Sequence, residues 1–107
     1  MTLAVVSLTA TVVLRAACPC AYVPNGGDDK LKVIDLSSNS VTATITLAGY
    51  PFAAAVNPAG TRVYVVEQSA NSLAVVNATT NAVITTIPGF NVPWSVAIHP
   101  AGTVAYV

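Results

Sequence analysis

Apolar residues in this chain come in short runs, and polar turns rich in Pro, Gly, Asn, Ser and Thr separate them. Val63-Tyr64-Val65-Val66 and Leu73-Ala74-Val75-Val76 are apolar at consecutive positions, the pattern of strands covered on both faces. Ser40 to Thr46 instead alternates. Val41, Ala43 and Ile45 fall on one side and Ser40, Thr42, Thr44 and Thr46 on the other, which predicts a half-exposed outer strand. Pro58-Ala59-Gly60-Thr61 and Pro100-Ala101-Gly102-Thr103 predict hairpin turns in which Pro fixes φ and Gly takes the permissive position. Ser37-Ser38-Asn39 and Thr79-Thr80-Asn81 predict a second kind of turn, with Asn tolerating left-handed backbone.

These signals recur with a fixed period. Residues 21–62 set against 63–104, an offset of 42, match without a gap at 14 of 42 positions. The matches include Tyr22/Tyr64, Leu31/Leu73, Val33/Val75, Asn39/Asn81, Pro51/Pro93 and the whole Pro-Ala-Gly-Thr turn. Ala105-Tyr106-Val107 opens a third copy.

A unit of about 40–45 residues with four strands is a β-propeller blade. One complete blade is predicted, with an inner strand near Ala53–Asn57, then Arg62–Glu67, Ser72–Asn77 and an outer strand near Ala82–Ile87. Three strands of a preceding blade start around Ala21, and two of a following one run from near Trp94 to Val107. A stand-alone β-sandwich is the competing architecture, and it does not call for a 42-residue repeat. The expected fold is therefore all-β: antiparallel four-stranded blades over residues 21–107, in an incomplete propeller.

Composition narrows the function classes. The chain has 107 residues, 54% apolar but only 7% aromatic and 7% charged, which excludes charged, low-hydrophobicity disorder. Four Lys and Arg against four Asp and Glu leave no net field to draw nucleic acid. The Glu, Lys, Arg and Leu that coiled coils need are missing.

Residues 1–20 differ in character. The twelve residues Leu3 to Leu14 are too short for a membrane span, so no transmembrane helix is expected. Two readings stand. One is a signal-peptide core ahead of Ala16-Ala17-Cys18, although no Lys or Arg precedes it. The other is a truncated strand pair, since Leu3-Ala4-Val5-Val6 repeats Leu73-Ala74-Val75-Val76 letter for letter. Cys18 and Cys20 are too close in sequence for an easy disulfide and too few for a metal site, so two thiols are expected.

Tyr22-Val23-Pro24-Asn25-Gly26, Val33-Ile34-Asp35, Pro51 and Asn57-Pro58-Ala59-Gly60-Thr61-Arg62-Val63-Tyr64-Val65 together resemble the YVTN-family β-propeller repeat. The likeness covers residues 21–107. Pro24 replaces the usual Thr, Val66-Glu67 stand where Thr-Asn is usual, and Ala59 and Ala101 occupy a usual Asp position. The resemblance implies a secreted or cell-surface propeller of surface-layer or adhesin type, with no catalytic motif and no cofactor. Related propellers occur in redox enzymes, whose ligand residues are not seen in this sequence. Closure takes about four to eight blades, so two and a half predict a fragment that self-associates through open strand edges with only Lys30, Lys32 and Glu67 to discourage pairing.

Few residues are candidates for chemistry. His99, aligned with Asn57, is expected to cap a turn; Asp28 and Asp29 read as a polar turn rather than a Ca²⁺ site, which needs six to eight oxygens. Asp35, aligned with Asn77, is expected to bond to the turn that follows it. No metal site or catalytic set is expected. Asn77-Ala78-Thr79 is the one glycosylation sequon. The binding candidates are Tyr50, Phe52, Phe90 and Trp94, in two equivalent loops between outer and inner strands. Phe52 and Trp94 share a repeat position and suit inter-blade packing, whereas Tyr50 and Phe90 have no aromatic counterpart and suit a protein- or glycan-binding face. A purely structural surface-layer module, or a piece of a propeller-type redox enzyme, is the alternative.

Overall fold

The computed structural model describes the backbone of residues 5–7 and 11–15 and the whole of residues 20–107. Ala16, Ala17 and Cys18, on which the signal-cleavage reading turned, lie outside the described residues. Every regular element described is a strand. In chain order they are β1 (Val5–Ser7), β2 (Thr11–Arg15), β3 (Cys20–Asn25), β4 (Lys30–Asp35), β5 (Ser40–Thr46), β6 (Pro51–Val56), β7 (Arg62–Glu67), β8 (Ser72–Asn77), β9 (Ala82–Pro88), β10 (Ala97–Ile98) and β11 (Ala105–Tyr106). They form three antiparallel meanders: β1-β2-β3-β4-β5, β6-β7-β8-β9 and the ribbon β10-β11. These are propeller blades, and among the described residues they do not close a ring. The second sheet is the complete blade read from the repeat, with β6 starting earlier, at Pro51, where a missing N–H is tolerated at the first strand position. In the first sheet, β2 pairs with β3 in the register Val13↔Tyr22, which carries the sheet back into the N-terminal segment.

The blades stack face to face. Tyr22, Leu31, Val33 and Ile45 of the first sheet share one buried cluster with Ala54, Val56, Val63, Val65, Ala74 and Val76 of the second. A second cluster lies on the opposite face, where Ala53, Val66 and Leu73 meet Val96, with Phe52, Tyr64, Phe90, Ile98 and Ala105 packed around them. Adjacent residues of β7 thus point into different cores, which is why its sequence is apolar without alternation.

The repeat is visible in the backbone as well as in the letters. Left-handed φ recurs at Asp29 and Asn71, Asn39 and Asn81, Tyr50 and Val92, and Gly60 and Gly102, each pair 42 residues apart. The sheets also break register at equivalent points. Between β4 and β5, Val33 faces Ala43 but Ile34 faces Val41, leaving Thr42 as an extra residue; between β8 and β9, Ile84 is the extra one. This β-bulge corrects the expectation for Ser40 to Thr46. The added residue puts Val41 on the face of Ile34 rather than that of Ile45, so Val41 is exposed while Ile45 is buried. A further correction concerns Cys20, which is disulfide-bonded rather than a thiol.

Leu31 has no solvent exposure in the inter-sheet core, and Ile84 is half exposed on the outer strand. Leu31→Ala is expected to destabilise the fold by about 2–5 kcal/mol. Ile84→Ala should cost less than about 1 kcal/mol. Urea unfolding of the two variants, with m unchanged, checks both.

Candidate functional site

Loops at the two ends of the sheets have different chemistry. One end holds the turns that follow β4, β6, β8 and β10, namely residues 36–39, 57–61, 78–81 and 99–104, and polar side chains cap them. Asn57 Oδ1 accepts from the N–H groups of Thr61 and Arg62 at 2.9 and 3.0 Å. His99, its counterpart, accepts from Ala101 N–H through Nδ1 at 3.0 Å, so it is a turn cap as expected. Asp35 Oδ1 accepts from Ser37 N–H at 2.8 Å and from the Ser37 hydroxyl. Asn77 Oδ1 accepts from Thr79 and Thr80 at 2.8 and 3.2 Å. The sequon side chain at Asn77 is thus folded onto its own turn by its carbonyl oxygen.

The other end carries Tyr50 on the loop from β5 to β6 and Phe90 and Trp94 on the loop from β9 to β10, whereas Phe52, expected in the first loop, is already the second residue of β6. The first loop is wedged between turns of two sheets. Tyr50 N–H donates to Asp29 Oδ1 at 2.7 Å, and Leu47 N–H donates to the Asp29 carbonyl at 3.0 Å. On the other side, Gln68 N–H donates to the Tyr50 carbonyl at 2.9 Å. Two glycines permit this approach. A Cβ on Gly26 would stand 2.8 Å from the Tyr50 ring, and one on Gly49 would stand 2.5 Å from the Ser69 hydroxyl. Asp29 is therefore a structural acceptor rather than a loose polar turn residue, and Asp28 pairs with Lys32 at 3.5 Å. Glu67 likewise does not guard an exposed edge. It is buried, accepting from Ala48 N–H at 2.6 Å and from the Ser72 hydroxyl at 2.7 Å.

The second loop repeats the side-chain bond, while its bond to the turn carbonyl comes from one residue further along, since Phe90 is the counterpart of Ala48 rather than of Leu47. Val92 N–H donates to Asn71 Oδ1 at 2.8 Å, and Phe90 N–H donates to the Asn71 carbonyl at 3.2 Å. Tyr50 and Val92 both hold left-handed backbone, with φ of 38° and 47°. Bulky residues avoid that region, and each such residue costs about 1–3 kcal/mol. Both side chains point outward, 45% and 44% exposed.

The aromatics divide by environment. Phe52 and Trp94 meet edge to face, with ring centroids 5.0 Å apart and planes at 81°, the favoured aromatic geometry. Trp94 remains 60% exposed beyond that contact. Phe90 is half-buried against the second core and supports the loop from beneath. Tyr50 lies on Gly26. The sequence singles out the four aromatics as candidates but not the acceptor roles of Asp29, Asn71 and Glu67, which hold the loops carrying Tyr50, Phe90 and Trp94. The signal for Asp29 and Asn71 was their 42-residue spacing, since both are types that tolerate left-handed backbone.

Among the described residues, no three His, Cys, Asp or Glu side chains converge as metal ligands, and no helix is long and apolar enough to cross a membrane. The sequence matches no protein-family model and no curated protein. Solved structures do match. Hydrazine synthase from Kuenenia stuttgartiensis superposes with a TM-score of 0.82 at 24% identity over 87% of this chain. A functionally unknown protein from Desulfotomaculum acetoxidans gives 0.79 at 12% identity over 94%. Apo AztD from Citrobacter koseri gives 0.60 at 15% identity over 89%. The chain spans only 27% to 35% of the length of these structures. At these identities the likeness is one of fold.

Asp35 and Asn77 provide an internal comparison for pH. The Ser37 hydroxyl, then the Ser37 N–H, bond to the Asp35 carboxylate and hold its pKa below the usual carboxylate range. A lowered folded pKa means the turn gains stability above the ordinary value and loses it as pH falls through the lowered one. The Ser37 amide proton shift is expected to titrate with a midpoint below the ordinary aspartate value. The Thr79 amide, bonded to a side chain that does not titrate, should stay flat over the same range in an NMR titration.

Proposed function

We propose that this chain is a non-catalytic binding module of the YVTN-type β-propeller class, part of a secreted or cell-surface protein. It binds a protein or glycan through the loop end of its blades. The carrying observation is the pair of outward-facing side chains, Tyr50 and Val92, held in strained backbone beside an exposed Trp94. Strain of that kind persists only where surrounding bonds over-determine it, and it gathers at sites of function. Rigid aromatic side chains also give contact area at low entropic cost.

Three further features support the reading. The turns and repeated positions carry the YVTN resemblance in the residues themselves, from Tyr22 to Val65 and again one period later. A disulfide at Cys20 suits an oxidising compartment. The groups nearest to catalytic types, His99, Asp29, Asp35 and Glu67, are each engaged in holding backbone.

Tyr50→Ala and Trp94→Ala are the informative variants, because Phe90 lies half in the core. Each is expected to weaken binding about tenfold or more on glycan arrays or on cell-surface protein preparations, with the far-UV spectrum unchanged. Loss on the glycan arm alone assigns a glycan, and loss on the protein arm alone a protein. Unchanged binding by folded variants, or no binding by the wild type in either arm, overturns the reading in favour of a purely structural module.

A further inference from the structure

We infer that Asp29 and Glu67 are the positioning residues of this face: two carboxylates from successive sheets jointly clamp the Leu47–Tyr50 loop, so Tyr50 holds its outward pose only where both sheets are docked. The inference rests on the binding reading for what Tyr50 would meet, while the clamp itself stands on geometry.

Asp29 lies in the β3–β4 turn of the first sheet, and Glu67 ends β7 in the second. Asp29 takes the Tyr50 N–H on its carboxylate and the Leu47 N–H on its carbonyl. Glu67 takes the intervening Ala48 N–H at 2.6 Å. Glu67 is only 1% exposed, and a carboxylate so buried is tolerated when donors satisfy it. Both of its oxygens are satisfied, one by Ala48 and one by Ser72. The repeat does not demand this arrangement, because Asn25 and Lys30 stand at the positions of Glu67 and Ser72 one period earlier. Left-handed backbone at Tyr50 relaxes when unsupported, so releasing either acceptor frees the same residue. The second loop shows which property of the acceptor matters: Asn71 holds Val92 with an amide oxygen in the same geometry.

Amide hydrogen exchange on the full chain tests the clamp without any ligand, so its failure is separate from failure of the binding reading. Asp29→Ala is expected to speed exchange at Tyr50 at least tenfold while Val92 stays as in the wild type. Asp29→Asn should restore protection, as Asn71 does one period later. Glu67→Ala should speed exchange at both Ala48 and Tyr50, although Glu67 does not touch the Tyr50 amide. If Glu67→Ala unfolds, seen as lost protection at Val65 and Val75, then Glu67→Met decides, since it removes the acceptor at similar volume, with a severalfold rise expected at both loop amides; Glu67→Gln, which keeps an acceptor oxygen, should stay near the wild type. Protection of Tyr50 in Asp29→Ala overturns the inference. So does a rise at Ala48 alone in the Glu67 variants.

Discussion

The sheet β6–β9 is apolar on both faces, and covering both faces is the constraint from which the rest of the architecture follows. Val63 and Val65 enter the core shared with the first sheet, while Tyr64 and Val66 turn toward the ribbon β10-β11. Burying one such side chain fully is worth about 1.5–3 kcal/mol. No single sheet can gain this on two sides. Neighbours must stack on it, and the neighbours here are copies of the same unit. The outer strand β9 lies beyond this sandwich and is exposed along its whole length, so Val83, Ile84 and Ile87 add little to the core.

Stacking copies requires that each chain segment leave one sheet and begin the next at a fixed place. Three side-chain types do most of this work. Gly60 and Gly102 take left-handed backbone without a Cβ penalty, and Asn39 and Asn81 tolerate it through their short polar side chains. Asp29 and Asn71 do the same and also capture the loop that passes to the next blade. The turn acceptors are therefore not decoration on the strands; they set the path by which one sheet reaches its neighbour. Tyr50 and Val92 bear the cost of that path in their own backbones.

Strands were legible because two-sided burial and turn chemistry both leave marks in the order of residues. β7 and β8 run between the residues expected, Arg62–Glu67 and Ser72–Asn77. The turn caps at Asp35 and His99 were legible through alignment with Asn77 and Asn57, because an acceptor at a strand end needs only a suitable side chain nearby. The bulges at Thr42 and Ile84 were not, since a register break depends on the partner strand and leaves the alternation intact on paper. Glu67 was misread for a related reason. A lone carboxylate in an apolar strand looks like a solvent-facing charge until a loop from another sheet brings Ala48 N–H to it. Spacing in sequence likewise gave no guide to the state of Cys20.

The candidate face differs from the fold in one physical respect: it is built from departures from the repeat. Where the first loop has Tyr50 lying on Gly26, the equivalent positions one period later hold Val92 and Gln68. The large side chain has moved from the loop to the turn, and the backbone of both loops stays left-handed. A repeat selected only for stacking gains nothing from this exchange, because both positions lie at the rim and outside the two buried clusters. Each loop thus presents a different outward side chain on the same scaffold. On the proposed binding reading, a ligand that touched both loops would meet a phenol on one and a branched aliphatic group on the other, with the exposed indole of Trp94 in the second loop. Binding surfaces distinguish partners by such local differences held on a common frame.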